Sequence, residues 1–278
     1  MNPFPKISLI TPNFNGARFL DRTLASVTGQ LYPALEYIVM DGGSTDGSAG
    51  IIQSYEPHLA HWESQPDSGM YHALNKGFAL TTGEIMGWIN SDDKLMPGSL
   101  FAVAEIFSRF PEVNWLQGYP VVIDESDRIV FHRTAVNSPG FFYRKGYHDG
   151  RFIQQESTFW RRSLWEKAGG HISTEYSLAG DFELWMRFFE HDRLCLTDTI
   201  LGAFRFRKAG QRSRTHYDEY LAECDRIVDQ CLTRLPEEGL SSLLQAHQPP
   251  AEDPASTSDH VIRFDFASYQ FIKSPVTG

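Results

Sequence analysis

Short apolar runs alternate with amphipathic segments along the first hundred residues. Residues 7–11, 35–40 and 85–89 are apolar almost throughout, which is typical of strands buried on both faces of a parallel sheet. Residues 17–30 instead place apolar side chains at helical spacing, and 71–80 also predict a helix. The alternation predicts an α/β fold, Rossmann-like, with a mostly parallel sheet and helices on both faces.

The pattern changes after a helix expected to begin at Pro97. We expect a strand meander at 115–119, 121–123 and 129–131, and helices at 163–168, 181–190 and 215–235. The last helix carries one apolar stripe, which predicts core packing, with a subunit contact as the alternative. Residues 248–260 are polar and Pro-rich, as in linkers, and 261–272 alternate like an edge strand of this chain or of a partner.

These segments suggest one α/β domain at 1–235 and a linker with a C-terminal tail at 236–278. Within the domain, we expect residues 1–95 to bind a ligand and residues 96–215 to complete the site, followed by the amphipathic helix 215–235. Homo-oligomers through that helix or the tail stay an open alternative.

Charge and composition narrow the class of partner and the location. The chain has 278 residues and a net charge of −10 without a basic run, which argues against nucleic acid as a partner. Its three cysteines lack metal-site spacing, and no apolar run is long enough to cross a membrane. Since residues 1–6 lead into a strand without a signal sequence, we expect a cytoplasmic protein, with peripheral attachment at the inner face of the membrane as the alternative.

The strongest chemical signal is the polar end of the apolar run at 85–89. Asn90, Ser91, Asp92 and Asp93 follow it directly. Adjacent carboxylates repel each other and are tolerated where a divalent cation lies between them, and their hard oxygens suit Mg²⁺ or Mn²⁺. The alternative is a polar loop in which Asp93 caps the next helix.

Other polar residues end the first two strands. Pro12, Asn13 and Asn15 follow the first, and Asp41 ends the second, which suggests a nucleotide pocket at the carboxyl edge of the sheet. Alternatively, Asp41 only begins the Gly-rich turn at 42–47. The chain has neither GxGxxG after the first strand nor GxxxxGK[ST], which argues against dinucleotide-linked oxidoreductases and P-loop NTPases.

Two further segments combine polar groups with aromatic side chains. Asp181 begins a helix and is either its cap or a general base at the rim of an apolar pocket, where burial raises the pKa of a carboxyl group. Gln155 and Glu156 stand beside Trp160, an arrangement typical of sugar sites, although a tryptophan at position 160 is more typical of a core.

Taken in order, these segments resemble family-2 glycosyltransferases of the GT-A fold. The resemblance covers residues 6–215 and rests on ITPNFN at 10–15, YIVMDGGSTDG at 37–47, QPDSG at 65–69, ALNKG at 73–77, TGE at 82–84, NSDD at 90–93, QESTFWRR at 155–162 and GDFELWMR at 180–187. Each stretch is weakly specific alone, and their order makes the resemblance specific.

The resemblance implies roles for individual residues. Asp41 would contact the base, commonly uracil, with Asp67 and Lys76 near base and ribose; Asp92 would bind the metal with Asn90 nearby, and Asp181 would be the catalytic base. The implied donor side comprises Pro12, Asn13, Asn15, Asp41, Asp67, Asn75, Lys76, Ser91, Asp92 and Asp93. The implied acceptor side comprises Gln155, Glu156, Trp160 and Trp185.

The sequence departs from the family pattern at three places. Asn90 replaces the first aspartate of the DxD motif, and Gly42 stands where the family often has a second aspartate. Arg207 and Lys208 stand where many relatives have a histidine, so that Arg205, Arg207, Lys208 and Arg212 become candidates for neutralising a diphosphate.

The resulting expectation is an inverting, metal-assisted hexosyltransferase (EC 2.4). It would move a sugar from a nucleotide-diphosphate sugar, expected to be a UDP-sugar, to a hydroxyl of a glycan or lipid-linked saccharide during synthesis of a cell-envelope polysaccharide. The rival interpretations are a sugar nucleotidyltransferase and a non-catalytic nucleotide-sugar-binding scaffold.

Overall fold

The computed structural model describes residues 4–208, 210–235 and 260–275. Its strands are β1 (Ile7–Asn13), β2 (Leu35–Asp41), β3 (His61–Ser64), β4 (Ile85–Trp88), β5 (Lys94–Leu95), β6 (Trp115–Gln117), β7 (Val121–Ile123), β8 (Ile129–His132), β9 (Thr158–Arg161), β10 (Cys195–Thr197), β11 (Gly202–Arg205), β12 (His260–Asp265) and β13 (Gln270–Pro275). Its helices are α1 (Ala17–Thr28), α2 (Ser48–Ser54), α3 (Met70–Ala79), α4 (Ser99–Arg109), α5 (Pro139–Tyr143), α6 (Arg162–Lys167), α7 (Gly180–Phe189), α8 (Arg212–Thr215) and α9 (Tyr217–Arg234).

Nine strands form the main sheet, in the order β13-β12-β10-β6-β9-β4-β1-β2-β3. β1 runs parallel to β2 and β4, and β10 runs parallel to β6 and β12. β9 is antiparallel to both β4 and β6, and β13 is antiparallel to β12. The predicted α/β fold with a mostly parallel sheet is confirmed.

The main sheet is buried on both faces because its strands send alternate side chains into two separate cores. In β2, Tyr37 and Val39 enter the core that also holds residues of α1 and α4, whereas Ile38 and Met40 enter the core with residues of α3, α7 and α9. This alternation explains why the strands read as unbroken apolar runs in the sequence.

The predicted meander is wrong in its connectivity. β6 belongs to the main sheet, while β7 and β8 join a second, four-stranded sheet in the order β5-β11-β7-β8. Periodicity alone does not tell which strands pair, and neither β10 nor β11 was predicted. The helix expected to begin at Pro97 is α4, which begins two residues later, after Gly98 in the left-handed conformation (φ 81°).

The apolar stripe of α9 is core, as predicted. Cys224, Ile227, Val228 and Cys231 are at most 2% exposed, and they pack with residues of α7. Instead of the single edge strand predicted within 261–272, the structure has the β12–β13 hairpin, whose β12 pairs with β10 of this chain. Most of the predicted linker, residues 248–259, lies outside the described residues. No helix of the described part is long and apolar enough to cross a membrane.

Candidate active site

The carboxyl ends of β1, β2 and β4 lie at one edge of the main sheet. Asn13 at the end of β1 pairs in register with Asp41 at the end of β2. β4 lies on the other side of β1, where the Ile89 N–H donates to the Ile10 carbonyl at 2.8 Å. Parallel strands therefore bring the polar residues that follow each of them to a common edge, as their positions in the sequence predicted.

Asp41 is buried, at 2% exposed, and fully hydrogen-bonded. Its Oδ1 accepts from Asn13 Nδ2 at 2.6 Å and Ser44 Oγ at 2.5 Å, and its Oδ2 accepts from the Ser44 N–H at 2.9 Å and Ser64 Oγ at 2.5 Å. Burial opposes ionisation, but these donors outweigh it and lower the pKa of Asp41. Because a carboxylate accepts about four hydrogen bonds, Asp41 has no position left for a base N–H. The expected direct contact is replaced by a role in holding the loop after β2.

The loop after β1 is fastened to the loop after β2. The Asn15 N–H donates to Ser44 Oγ at 2.7 Å, and Asn15 Oδ1 accepts from the Thr45 N–H at 3.0 Å. Asn15 is thus a positioning residue in this structure. Its neighbour Gly16 has no room for a side chain, since a Cβ there would lie 2.2 Å from Asn13 Oδ1 and 2.8 Å from Ser91 Oγ.

Asn13 carries an unused acceptor in this loop. Its Nδ2 donates to Asp41, but its Oδ1 is buried and has no hydrogen-bond partner in the described structure. A buried acceptor without a partner is costly, and a ligand N–H would satisfy it. Pro12, immediately before it, is buried in β1.

The carboxylate of Asp67 leans over Gly42. Asp67 Oδ1 accepts from the Gly69 N–H at 2.8 Å, whereas its Oδ2 would lie 2.9 Å from a Cβ at position 42. Asp67 therefore fills the space that a side chain at position 42, where the family often has an aspartate, would take. Among the described residues, no hydrogen bond to Asp67 Oδ2 is present, so this oxygen can receive a base N–H.

Two other expected donor-side residues are engaged within the protein. Asn75 bonds the Ile172 backbone in both directions, donating to its carbonyl and accepting from its N–H, each at 2.8 Å. Asn75 therefore anchors the segment before α7 rather than facing a ligand. Lys76 pairs with Glu63 of β3, and its ammonium is partly exposed.

Asp92 is the outward-facing carboxylate of the pair after β4. Its side chain is 23% exposed, and its Oδ2 lies 3.1 Å from Nε of Arg207. Burial raises the pKa of Asp92, and the positive charge of Arg207 opposes that rise. Ser91 is also partly exposed, and Asn90 Oδ1 is buried without a hydrogen-bond partner.

Asp93 points into the protein, which corrects its expected place on the donor side of the site. It is 1% exposed, its Oδ1 accepts from the Arg205 N–H at 2.8 Å, and its Oδ2 accepts from Asn90 Nδ2 at 3.3 Å. Burial first, and then the charges of Asp92 and Glu156, raise the pKa of Asp93 well above its ordinary value. Asp93 also does not cap α4, whose first residue is Ser99.

The residues after β4 fit a divalent cation as a partial ligand set. The described residues contain no group of three or more His, Cys, Asp or Glu arranged to hold a metal ion. Asp92 and the unpartnered Oδ1 of Asn90 nevertheless offer two oxygens on one turn. Mg²⁺ is commonly held by one or two carboxylates together with substrate phosphates and water, which such a set would leave room for.

Asp181 lies in the first turn of α7 and is partly exposed. Its Oδ1 accepts from the Phe182 N–H at 2.8 Å, and the Tyr71 hydroxyl lies 3.4 Å away. Burial raises the pKa of Asp181 to about 6, with the Phe182 N–H opposing the rise. The cap residue is Ala179, so Asp181 is not the helix cap. A carboxyl group with this pKa is ionised at neutral pH yet remains basic enough to accept a proton.

Two residues that the sequence did not identify position Asp181. Glu223 of α9 accepts from the N–H groups of Ser177, Leu178 and Ala179, at 2.8–3.0 Å, and so holds the turn before α7. Tyr71 packs against Gly180, where a Cβ would lie 2.7 Å from its ring. Nothing in the local sequence signals these contacts, because they join segments more than forty residues apart.

Glu156 is 3% exposed and lies among the charges of the site. Burial, followed by the charges of Asp92 and Asp181, raises its pKa to about 8, while Arg133 opposes this. Its Oε1 has no hydrogen-bond partner among the described residues. A pKa of about 8 favours the protonated form of Glu156 near pH 7, and the charges of Asp92 and Asp181 both act on it. Gln155 donates to the Trp88 carbonyl, which ties this turn to β4.

Trp160 and Trp185 lie in the core, which corrects their expected acceptor-side role. Trp160 is 0% and Trp185 2% exposed, and their rings meet at 5.7 Å between centroids. Trp185 also stacks on Trp88 at 5.6 Å with an interplanar angle of 10°. With no free ring face they stabilise the sheet beneath the site instead of contacting a sugar.

Four basic residues, Arg205, Arg207, Lys208 and Arg212, were candidates for neutralising a diphosphate. Arg207 forms an ion pair with Asp92. Arg205 is fully buried and pairs with Asp127 at 2.6 Å, and Lys208 is exposed. The side chain of Arg212 lies outside the described residues. The site thus combines the partly exposed pair Asp92–Arg207 with two carboxyl groups of raised pKa, Asp181 and Glu156.

Comparison with known proteins identifies the family of this chain. Residues 8–167 match the family model described as glycosyl transferase family 2. The chain is 32% identical over 189 residues to the uncharacterized glycosyltransferase Rv1514c of Mycobacterium tuberculosis, covering 67% of this chain and 70% of that one.

Solved structures share the fold at lower identity. S. aureus TarS 1–349 in complex with UDP-GlcNAc matches with a TM-score of 0.67 and 19% identity, over 86% of this chain and 70% of that one. Against the longer TarS structure, the chain spans 42% of that protein's length. The mannosyltransferase PcManGT of Pyrobaculum calidifontis, in complex with GDP-Man and Mn²⁺, matches with a TM-score of 0.61 and 20% identity, over 87% and 68%. With the family model covering more than half of its length, the chain belongs to glycosyl transferase family 2 and has the GT-A fold.

Proposed function

We propose that this glycosyltransferase moves a hexose from a UDP-sugar to a hydroxyl group with inversion at the anomeric carbon. The observation that carries the proposal is Asp181, a partly exposed carboxylate with a pKa of about 6, together with Asp92 around the buried Glu156. Asp92 suits the site of the donor diphosphate, and Asp181 suits proton abstraction from an acceptor hydroxyl group.

The donor would bind at the carboxyl edge of β1, β2 and β4. Asp67 Oδ2 and Asn13 Oδ1 are free acceptors there, and the N3–H of uracil is a donor that such an oxygen recognises. TarS is a structural neighbour in complex with UDP-GlcNAc, whereas PcManGT is in complex with GDP-Man, so the base must be measured for this chain. Uracil is the base that the resemblance favours.

A divalent cation, Mn²⁺ or Mg²⁺, would be held by Asp92 and Asn90 Oδ1 together with the phosphates. When bound, it supplies positive charge that stabilises the leaving diphosphate. The Mn²⁺ in the PcManGT complex supports this assignment by analogy.

Asp181 would act as the base through Oδ2, since Oδ1 is held by the Phe182 N–H. Asp181 takes the proton of the acceptor hydroxyl group. At the same time the hydroxyl oxygen forms a bond to the anomeric carbon, and the bond between that carbon and the diphosphate oxygen breaks. A positioned base contributes about 10²–10⁴-fold to such a reaction. Glu156, neutral at pH 7, adds no further negative charge beside the departing diphosphate.

The acceptor is proposed by analogy to be a glycan or lipid-linked saccharide of the cell envelope, reached from the cytoplasm. Fold alone does not fix an acceptor, and the buried tryptophans offer no ring face to one.

Calorimetric titration of UDP, GDP, dTDP and ADP, each with Mn²⁺ and with EDTA, tests the donor assignment. We expect UDP to bind most tightly and Mn²⁺ to strengthen its binding. Binding of another diphosphate would reassign the base. Binding of none would contradict the donor site, whereas UDP binding without hydrolysis or transfer of any UDP-sugar would favour a scaffold.

A further inference from the structure

Arg207 lies against the side-chain carboxylate of Asp92. Its Nε lies 3.1 Å from Asp92 Oδ2, but the pair lacks hydrogen-bond geometry, and this Nε is buried without a hydrogen-bond partner. The contact is therefore an ion pair whose directional donor is still unused. An anion that arrives at a suitable angle would gain a charge-assisted hydrogen bond from it.

The backbone around Arg207 is held rigidly. Its N–H donates to Gln211 Oε1 at 3.1 Å, and Gln211 Nε2 donates to the Arg205 carbonyl at 2.8 Å. Gln211 is 4% exposed, so this brace is protected from water. The guanidinium of Arg207 is held at its far end by one bond, from Nη2 to the Gly210 carbonyl at 2.9 Å.

The neighbouring cation is committed elsewhere. Arg205 is fully buried, pairs with Asp127, and donates Nε to the Asp92 backbone carbonyl at 2.6 Å. Its guanidinium fixes the turn after β4 and is not exposed to a ligand. Arg207, with 26% of its side chain exposed, remains able to change partners.

From this arrangement we infer that Arg207 is a built-in counter-ion of the donor site. It neutralises Asp92 when no donor is present and moves onto the diphosphate when the donor binds, so that Arg207 and the divalent cation compete for Asp92. The inference rests on the proposed function, and it adds that nucleotide binding keeps a metal-independent component carried by this arginine.

If Arg207 and the cation compete for Asp92, substitution of Arg207 should strengthen Mn²⁺ binding and weaken metal-free UDP binding. Removing the guanidinium frees Asp92, so Mn²⁺ alone should bind about tenfold more tightly, the size expected for loss of one competing charge-assisted contact. In EDTA, the same substitution should weaken UDP binding about tenfold, because the diphosphate loses its remaining cation. Substitution of a residue that has only a structural role would not strengthen Mn²⁺ binding.

The experiment compares wild type, Arg207→Gln, Arg207→Lys and the control Arg128→Gln. Arg128 is exposed and pairs with Asp124 on the β7–β8 hairpin, so its substitution changes the net charge equally without touching Asp92. Free Mn²⁺ is measured by electron paramagnetic resonance, UDP binding in EDTA by calorimetry, and folding by thermal unfolding.

We expect Arg207→Gln to show both effects, Arg207→Lys to keep most UDP binding in EDTA, and Arg128→Gln to match wild type. Equal Mn²⁺ affinity in wild type and both Arg207 variants would overturn the inference, whatever nucleotide binding shows. Absence of UDP binding by every protein in Mn²⁺ would contradict the proposed function instead, and the Mn²⁺ measurement would still decide the role of Arg207.

Discussion

Replacing Asp181 with asparagine should remove activity and stabilise the fold at the same time. The side chain keeps its shape, and an amide oxygen can still accept from the Phe182 N–H. What the change removes is a negative charge in a poorly solvated place and the ability to accept the acceptor's proton. We expect turnover to fall about 10²–10⁴-fold, the usual contribution of a positioned base.

The expected gain in stability follows from the pKa of Asp181. Burial raises it from 3.8 to about 6, and a shift of about two units corresponds to about 3 kcal/mol. Because the folded pKa is the higher one, the cost is fully present above pH 6, fades between pH 6 and 4, and is absent below the unfolded value. At pH 8 the variant should therefore unfold at a temperature about 5 °C or more above wild type.

The assay combines UDP release from the preferred UDP-sugar with thermal unfolding at pH 8 and pH 4. For wild type, turnover should fall about tenfold per pH unit below pH 6, as Asp181 becomes protonated. The control is Asp218→Asn, an exposed acid in the first turn of α9, which should leave both readouts unchanged.

Wild-type turnover in Asp181→Asn would refute the assignment of the base. A variant that is inactive but less stable at pH 8 would refute the electrostatic reasoning, since it would mean that the ionised carboxylate is better solvated or better paired than the structure shows. A stability gain that persists at pH 4 would point to packing instead of charge.

The remaining predictions concern the donor site and the turn before α7. Gly42→Ala places a Cβ 2.9 Å from Asp67 Oδ2. It should weaken UDP binding about tenfold, the effect expected for loss of one hydrogen bond to a charged group. Calorimetry measures this against the control Gly50→Ala, where a Cβ meets nothing within 4 Å. Asp92→Ala should abolish the increase in UDP affinity caused by Mn²⁺, and an unchanged increase would remove Asp92 from the metal site. Glu223→Gln keeps one acceptor for three backbone N–H groups; it should lower stability by about 1–2 kcal/mol and lower kcat while UDP affinity is unchanged.

The sheet was predictable because strands buried on both faces must be apolar throughout. The runs at residues 7–11, 35–40 and 85–89 became β1, β2 and β4 with changes of one or two residues at their ends. The strands that periodicity missed, β5, β9, β10 and β11, are two to four residues long, which leaves little period to detect. Their partners are distant in sequence, so pairing energy decides them.

Within the site, the sequence by itself determined which side chains gather at the sheet edge. Asp41 ends β2 and Asp92 follows β4, and these two strands flank β1, which ends at Asn13. The sequence also placed Asp181 at the start of a helix and gave a pKa raised by burial as one of two interpretations, but it did not reveal the turn geometry before α7.

Tertiary structure alone decided which of these groups remain free to act. Asp41 is saturated by hydrogen bonds from Asn13, Ser44 and Ser64, and Asp93 turns inward to the Arg205 N–H. Ser44 lies three residues from Asp41, but Asn13 and Ser64 lie 28 and 23 residues from it, and Arg205 lies 112 residues from Asp93. Identical carboxylates at strand ends therefore acquire different pKa values and different roles only once the chain has folded around them.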